Sequence, residues 1–426
     1  MDRISSDHIY FEGHDLWALS AKGSAPFVLY APTLRTALVV SERAYTQLRR
    51  REIPSKIAAN LKQKQSHAIT PAVPPQNAFH LGIGLTQDCT LSCIYCHADA
   101  NKAIYADWAT LKPALDHAFS AAAETPRRTL AVSFAVGGEP TLPWRQFIRT
   151  VNYLRDRERA ERFGVAQVFL SMTTNGFYDD RKRTFIADNF DHLTVSCDGP
   201  PEIQDWQRPS RRGKPTYEVV SQSIRYFLSR RPRLHVGIRS TVSGQTVKQL
   251  PATVEFFAKE FGPGITVAFE PLAPLGRALM DESASSPTVE SFTRSFLDAR
   301  TRGRSLGVNV TSSGPSLSRL IARFCGAMAI PSFSVCVDGV ITACHRDQDG
   351  KDYSYGQIDK MSGAIELCSE KRDEIRSRSD MPAGCSDCFA KWNCAGDCPD
   401  LRRIGWARCE FNRELLFDDL VQQMNL

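Results

Sequence analysis

Three cysteines stand within eight residues in the stretch LTQDCTLSCIYCHADA, at positions 89, 93 and 96, and the next cysteine is Cys197. Thiolates in a Cys-x3-Cys-x2-Cys run can point at one metal centre. A closed zinc site takes four ligands, so three with no local fourth leave a coordination position open. On a [4Fe–4S] cube, three thiolates leave one iron free for a small molecule. Further on, Gly137-Gly138-Glu139-Pro140 offers backbone that a ligand can approach closely, and a carboxylate that suits a cation. Nine of the thirteen cysteines lie beyond residue 315: Cys325, Cys336, Cys344, Cys368, Cys385, Cys388, Cys394, Cys398 and Cys409. A polar N-terminus without a signal peptide places the chain in the cytoplasm, where thiols serve metals or catalysis rather than disulfides.

Three zones must position these residues. Residues 1–76 alternate apolar and polar as short strands, followed by one helix over SERAYTQLRRREIPSKIAANLKQKQ and a stiff linker, Thr70–Gln76. Residues 77–310 repeat strand and helix six times. Strands such as TLAVSFAVGG read as buried on both faces, and the repeat implies a parallel α/β sheet curved into a partial (β/α)6 barrel. Reactive residues gather at the carboxyl ends of such strands. Residues 311–426 carry a hairpin at SVCVDGVITACH, turning on Asp338-Gly339, and otherwise read as loop-rich, short of regular elements to bury a core. The net charge of +6 is too dispersed to argue for nucleic acid, and no apolar run is long enough to span a membrane.

The run Cys89-x3-Cys93-x2-Cys96 with Tyr95 before the last cysteine resembles the signature of the radical S-adenosylmethionine (SAM) enzymes. In that family the open iron is chelated by SAM, whose reductive cleavage yields a 5′-deoxyadenosyl radical that takes hydrogen from an unactivated C–H bond. The resemblance implies that Gly137, Gly138 and Glu139 meet the SAM ammonium, that Asn175 in TTNG lies by the ribose, and that Ser196 and Arg208 contact the SAM carboxylate or sugar. The segment SCDGPPEIQDWQR is similar to the family's SxDGPxxxHDxxR, with Gln204 where His is usual. Arg239 is either a further SAM contact or an ion-pair partner, and Glu270 either faces the barrel mouth or is structural.

The C-terminal spacing resembles the SPASM extension, which carries two auxiliary [4Fe–4S] clusters. By that resemblance Cys385, Cys388, Cys394 and Cys409 hold the outer cluster. Cys325, Cys344 and Cys398 hold the inner one, with Cys336 as the chosen fourth ligand and an open iron as the alternative. Cys197 reads as a small buried hydrophobe, and Cys368 has no partner by spacing.

The resemblance implies a maturase that cross-links a ribosomally made precursor peptide through a cyclophane, ether or thioether bond, with flavodoxin or ferredoxin as electron donor. A sulfatase-maturing enzyme that makes formylglycine and a peptide epimerase are the alternatives within the family. An iron–sulfur scaffold is the non-enzyme alternative. Sulfatase-maturing relatives place an Asp where this chain has His345. His345 and Asp198 are the candidate catalytic residues. Residues 1–76 offer either a leader-peptide element or a packing extension.

Overall fold

The computed structural model describes every residue except 1–5, 12–13, 22–23, 73–76, 99–100, 281–282, 330–331, 349 and 425–426. The last four residues of the expected linker lie outside the described residues.

Four strands, β1 (Ser6–Phe11), β2 (Leu16–Ala21), β3 (Ser24–Ala31) and β4 (Thr36–Val39), form an antiparallel meander. Period-two alternation gives the sheet two apolar faces. Leu16, Ala18, Phe27 and Leu29 pack with Tyr45, Leu48 and Leu61, while Trp17, Leu19, Val28 and Tyr30 form a separate cluster. The single helix expected after the sheet is two, Glu42–Arg49 and Ser55–Lys64. Arg51 takes a left-handed conformation (φ 65°), and Pro54, which lacks an N–H, stands ahead of the second helix.

The barrel strands are β5 (Ala78–Thr86), β6 (Thr129–Gly137), β7 (Gln167–Thr174), β8 (His192–Ser196), β9 (His235–Val242) and β10 (Thr266–Pro271). They pair in parallel and in sequence order, with β11 (Asn309–Thr311) beside β10. Each crossover carries helix. The helix Trp108–Ala123 begins at Asp107, whose carboxylate accepts the Thr110 N–H at 2.7 Å, and it buries Leu111, Leu115 and Phe119.

The strands are not buried on both faces. In β6, Leu130, Val132, Phe134 and Val136 are buried against helices, and Ala131, Ser133 and Ala135 between them are half-exposed. In β9, Val236, Ile238 and Val242 are buried, with Gly237, Arg239 and Thr241 half-exposed. Small and polar residues therefore line the concave side, which leaves room inside a sheet that does not close on itself.

The C-terminal zone continues this sheet. Strand β12 (Ser332–Val335) pairs in parallel with β5, and β13 (Val340–Thr342), β14 (Ser354–Ile358) and β15 (Ile365–Leu367) follow antiparallel. The hairpin forms where its turn residues stand: Cys336 N–H donates to Val340 O at 2.9 Å and Gly339 has φ +92°. The zone holds more regular structure than its sequence suggested. Its last helix, Cys409–Gln423, sets Phe411 against Phe292 and Phe296, with ring centroids 5.1 and 5.3 Å apart.

The N-terminal sheet docks on this zone. Trp17 Nε1 donates to Asp387 O at 2.7 Å, Tyr30 Oη to Asn393 Oδ1 at 2.7 Å, and Lys391 Nζ pairs with Asp15 at 2.6 Å. Around these polar ties, Trp17, Leu19, Val28 and Tyr30 join Phe389, Cys394, Leu416, Phe417 and Leu420 in one apolar cluster. Among the described residues no helix is long and apolar enough to cross a membrane.

Candidate active site

The loop after β5 is tied at many points along its length. Thr86 Oγ1 accepts the Asp88 N–H at 2.8 Å, and Asp88 Oδ1 in turn accepts the Cys89 N–H at 2.9 Å. Ser92 and Ile94 N–H donate to Pro209 O and Gln207 O, and Cys96 O accepts the Arg277 N–H at 3.1 Å. Arg211 pairs with Asp88 at 2.7 Å. Cys89, Cys93 and Cys96 are each half-buried on this loop.

The other sequence motifs converge on the same loop. Gly138 N–H donates to Thr86 O at 2.7 Å and Glu139 N–H to Asp88 O at 2.9 Å. The glycines serve close approach, and the partner shown is the chain itself. A Cβ on Gly138 would lie 1.8 Å from Asp88 O, and one on Gly137 (φ +94°) 2.3 Å from Thr86 O. Glu139 is buried, and its carboxylate accepts Thr141 Oγ1, Thr174 Oγ1 and Asn175 N–H at 2.8, 3.0 and 2.8 Å. Burial raises its pKa against those hydrogen bonds. Asn175 reaches the thiols directly, its Nδ2 lying 3.0 Å from Thr90 Oγ1 and 3.5 Å from Cys89 Sγ.

From the fourth motif, Arg208 sits between the loop and β8. Its Nε is 3.0 Å from Asp198 Oδ2, its Nη1 3.9 Å from Cys93 Sγ, and its guanidinium lies 5.2 Å from the centroid of the Tyr95 ring. Asp198 is buried. Besides that ion pair, it accepts from Tyr95 Oη, Gln207 Nε2 and Thr241 N–H. Both its oxygens are engaged, which suits a group that fixes Arg208 and Tyr95 more than one that takes a proton. Gln204, the departure from the family pattern, is fully buried and accepts the Asp198 N–H at 2.9 Å. Ser196 ends β8 opposite Arg239 of β9.

The donor set fits an iron–sulfur cluster. Burial, then the charge of Glu139, pushes the Cys89 thiol up to about 11; burial against the opposing Arg208 pushes Cys93 to about 12, each helped by its neighbouring thiols. Two thiols raised in this way resist ionising until a cation is placed beside them, which bound iron would supply. Among the described residues no three donors converge on one ion; on a cube each thiolate takes its own iron and stands further from its neighbours.

Two further groups of cysteines come together. Cys325 interacts electrostatically with Cys398 and with Cys344. Cys388 interacts with Cys385, Cys394 and Cys409. Between Cys394 and Cys398 the backbone runs through Ala395, Gly396 and Asp397, all with positive φ. Gly396 and Asp397 N–H turn towards the Cys394 sulfur, and Asn412 Nδ2 lies 3.3 Å from it. Backbone groups so aimed form an anion-receiving nest. Arg408 spans the joint, pairing with Asp397 at 2.7 Å and reaching Glu270 at 3.5 Å, while Glu270 also accepts Ser313 N–H and Oγ at 2.6 Å. Glu270 thus ties β10 to the C-terminal zone. Cys336 is buried with its Sγ 3.8 Å from Asp347 O, by the turn that follows Cys344. Cys197 is fully buried, as its strand context suggested.

His345 and His97 are both exposed residues, and the protein around them holds each imidazole pKa below its ordinary value. Burial, then Arg346 and Arg239, lowers His345 to about 4; burial, then His345, Arg346 and Arg239, lowers His97 to about 3. A cavity of about 310 Å³ lies here, lined by His97, Leu275, Arg346, Gln348, Tyr353 and Asp400 among others. Gln348 was not singled out by sequence. It carries no spacing signal, and only the fold brings it beside Gly137.

Residues 83–257 match the family model described as Radical SAM superfamily. An uncharacterized protein of Methanocaldococcus jannaschii is 26% identical over 220 residues, half of this chain and 69% of that one. A cysteine-type anaerobic sulfatase-maturating enzyme of Clostridium perfringens is 26% identical over 130 residues, 30% of this chain and 34% of its own length. The structure titled native anSMEcpe with bound AdoMet and Kp18Cys peptide superposes with TM-score 0.63 at 20% identity, covering 83% of this chain and 99% of that chain. Streptococcus suis SuiB bound to precursor peptide SuiA gives TM-score 0.52 at 14% identity, covering 95% and 97%.

Proposed function

From a chain that carries a radical SAM domain over residues 83–257, we propose a maturase that abstracts hydrogen from a ribosomally made peptide and forms a side-chain cross-link. The observation that carries this reading is the convergence of four motifs on one loop that carries three half-buried thiols. Cys89, Cys93 and Cys96 would hold a [4Fe–4S] cluster. When bound there, the cluster and SAM supply a carbon radical able to take hydrogen from an unactivated C–H bond.

The chain's own residues orient and enclose. Gly137, Gly138 and Glu139 would receive the SAM amine, Asn175 the ribose, and Ser196 and Arg208 the carboxylate or sugar. Asn175 and Arg208 also place N–H groups towards the Cys89 and Cys93 sulfurs, a contact that tunes a cluster's potential. The small concave face of β6 and β9 leaves room for a side chain. His345, exposed and held neutral by its surroundings, would accept the proton released when the peptide is oxidised. Cys385, Cys388, Cys394 and Cys409 would hold one auxiliary cluster. Cys325, Cys344, Cys398 and Cys336 would hold the other, a one-electron acceptor when bound, and flavodoxin or ferredoxin is the electron donor this reading calls for.

Supporting a peptide substrate, two structural neighbours are described with peptides bound, and the SuiB likeness extends over 95% of this chain. The sulfatase-maturing alternative is favoured by the anSMEcpe likeness and disfavoured by His345 standing where those enzymes place Asp. Reduced, iron-loaded protein should release 5′-deoxyadenosine from SAM, and a Cys89→Ala, Cys93→Ala, Cys96→Ala variant should not. Equal release by both would end the radical reading. Co-expression with a candidate peptide should remove two hydrogens from its mass. An unchanged mass with an inverted stereocentre would mean epimerisation instead.

A further inference from the structure

The cleft at the barrel mouth offers donors in excess of acceptors. Gln348 is 7% exposed, lines the cavity, and its Nε2 has no hydrogen-bond partner among the described residues. A buried amide N–H left unpaired is costly, so it points to a ligand that accepts. Arg239 stands on the concave face of β9, and its neighbours across the sheet are Ser196 and Ala268. Among the described residues no carboxylate lies within ion-pair distance of it. Arg346 also lines the cavity, and the one carboxylate among the described residues within ion-pair distance of it is Asp400, at 3.5 Å.

The carboxylates lining the cleft are already engaged. Asp347 accepts the Lys351 and Tyr353 N–H groups at 2.9 and 2.7 Å. Asp352 and Asp400 both pair with Arg403, at 3.1 and 3.2 Å. What remains is the Gln348 amide and the Arg346 guanidinium on the cavity wall with His97, and the Arg239 guanidinium on β9, close enough to act on both His97 and His345.

We infer that this cleft, through Arg239, Arg346 and Gln348, holds a carboxylate of the substrate, so that the peptide carries an acidic residue beside the one modified. The inference rests on the peptide reading above and narrows it. The same chemistry is offered by the carboxylate of SAM, and the test separates the two sources.

The probe is a pair of fluorescein-labelled dodecapeptide pools, randomised except for one fixed Glu in the first and one fixed Gln in the second, with amidated C-termini. Each position is scanned by anisotropy on iron-loaded, SAM-bound protein. At one position or more the Glu pool should bind about tenfold tighter than its Gln twin, the worth of a charge-assisted contact. Arg239→Gln and Gln348→Leu should each reduce that ratio to within twofold. Because the ratio is taken on one protein, partial misfolding does not imitate its loss, and Arg239→Lys should restore part of it. Equal binding of Glu and Gln pools at every position would overturn the inference and leave the peptide reading standing. Binding of no pool at all would overturn both. A tenfold weakening of SAM itself in Arg239→Gln, read from the SAM-induced change in the reduced cluster's electron paramagnetic resonance (EPR) spectrum, would assign the guanidinium to SAM and overturn the inference.

Discussion

The loop from Gln87 to Ala98 and the turn from Cys385 to Cys398 both carry cysteines at cluster spacing, and the fold adds to the second an apolar grip larger than the first has. The loop hangs on hydrogen bonds and ion pairs from the ends of β5, β6, β7 and β8, and one side of it faces the cleft. The turn has polar ties of its own, to Asp387, Lys391, Asn393 and Asp397, but one side of it is also gripped by apolar side chains: Trp17, Val28 and Tyr30 from the first strands, Leu416 and Leu420 from the last helix. Directional polar ties can fix a backbone while leaving its open side wet. Apolar packing fixes it only by covering it. A centre that must admit a small molecule and a substrate suits the first arrangement, and one that only passes electrons suits the second.

The contrast is broken most severely at Arg408. Arg408→Ala leaves Asp397 buried and unpaired and should cost about 4 kcal/mol, read as a lowered midpoint in anaerobic urea unfolding. An unchanged midpoint would mean that the joint between β10 and the turn bears no load. Trp17→Ala opens the cap and should cost about 3 kcal/mol. Its sharper signature is selective: iron should leave the C-terminal centres under chelator before it leaves the loop. Loss from all centres at one rate would erase the distinction drawn above.

Gly138→Ala acts on the loop instead. With Asp88 O at 1.8 Å from the new Cβ, the loop must shift, at about 2 kcal/mol. SAM should then no longer alter the EPR spectrum of the reduced loop centre, while the other centres keep theirs. Asn175→Leu should cost about 1 kcal/mol through the lost bond to Thr90. It should shift the potential of the loop centre alone, measured by redox titration.

Local spacing made the loop legible. Cys89, Cys93 and Cys96 lie on one short segment, and Gly138, Asn175 and Asp198 each follow a strand, so a parallel sheet was enough to gather them. The concave face was legible too, in the alternation of TLAVSFAVGG, where small residues separate the large ones; the apolar content of the strand overrode that period. Docking of the N-terminal sheet was not legible. Trp17 meets Asp387 across 370 positions, and no local pattern marks a partner so distant. Gln348 stayed hidden for the same reason. An amide becomes informative only when the fold buries it without a partner.

The cap over the Cys385–Cys398 turn joins the two ends of the chain. During synthesis β2 and β3 emerge early, and the helix that completes their apolar cluster emerges last. Until then the face bearing Trp17 and Tyr30 has nothing to close against, and such long-range closure is intrinsically slow. Over that interval the Phe389–Cys394 side of the turn lacks its cover, whereas Cys409 stays exposed even in the folded chain.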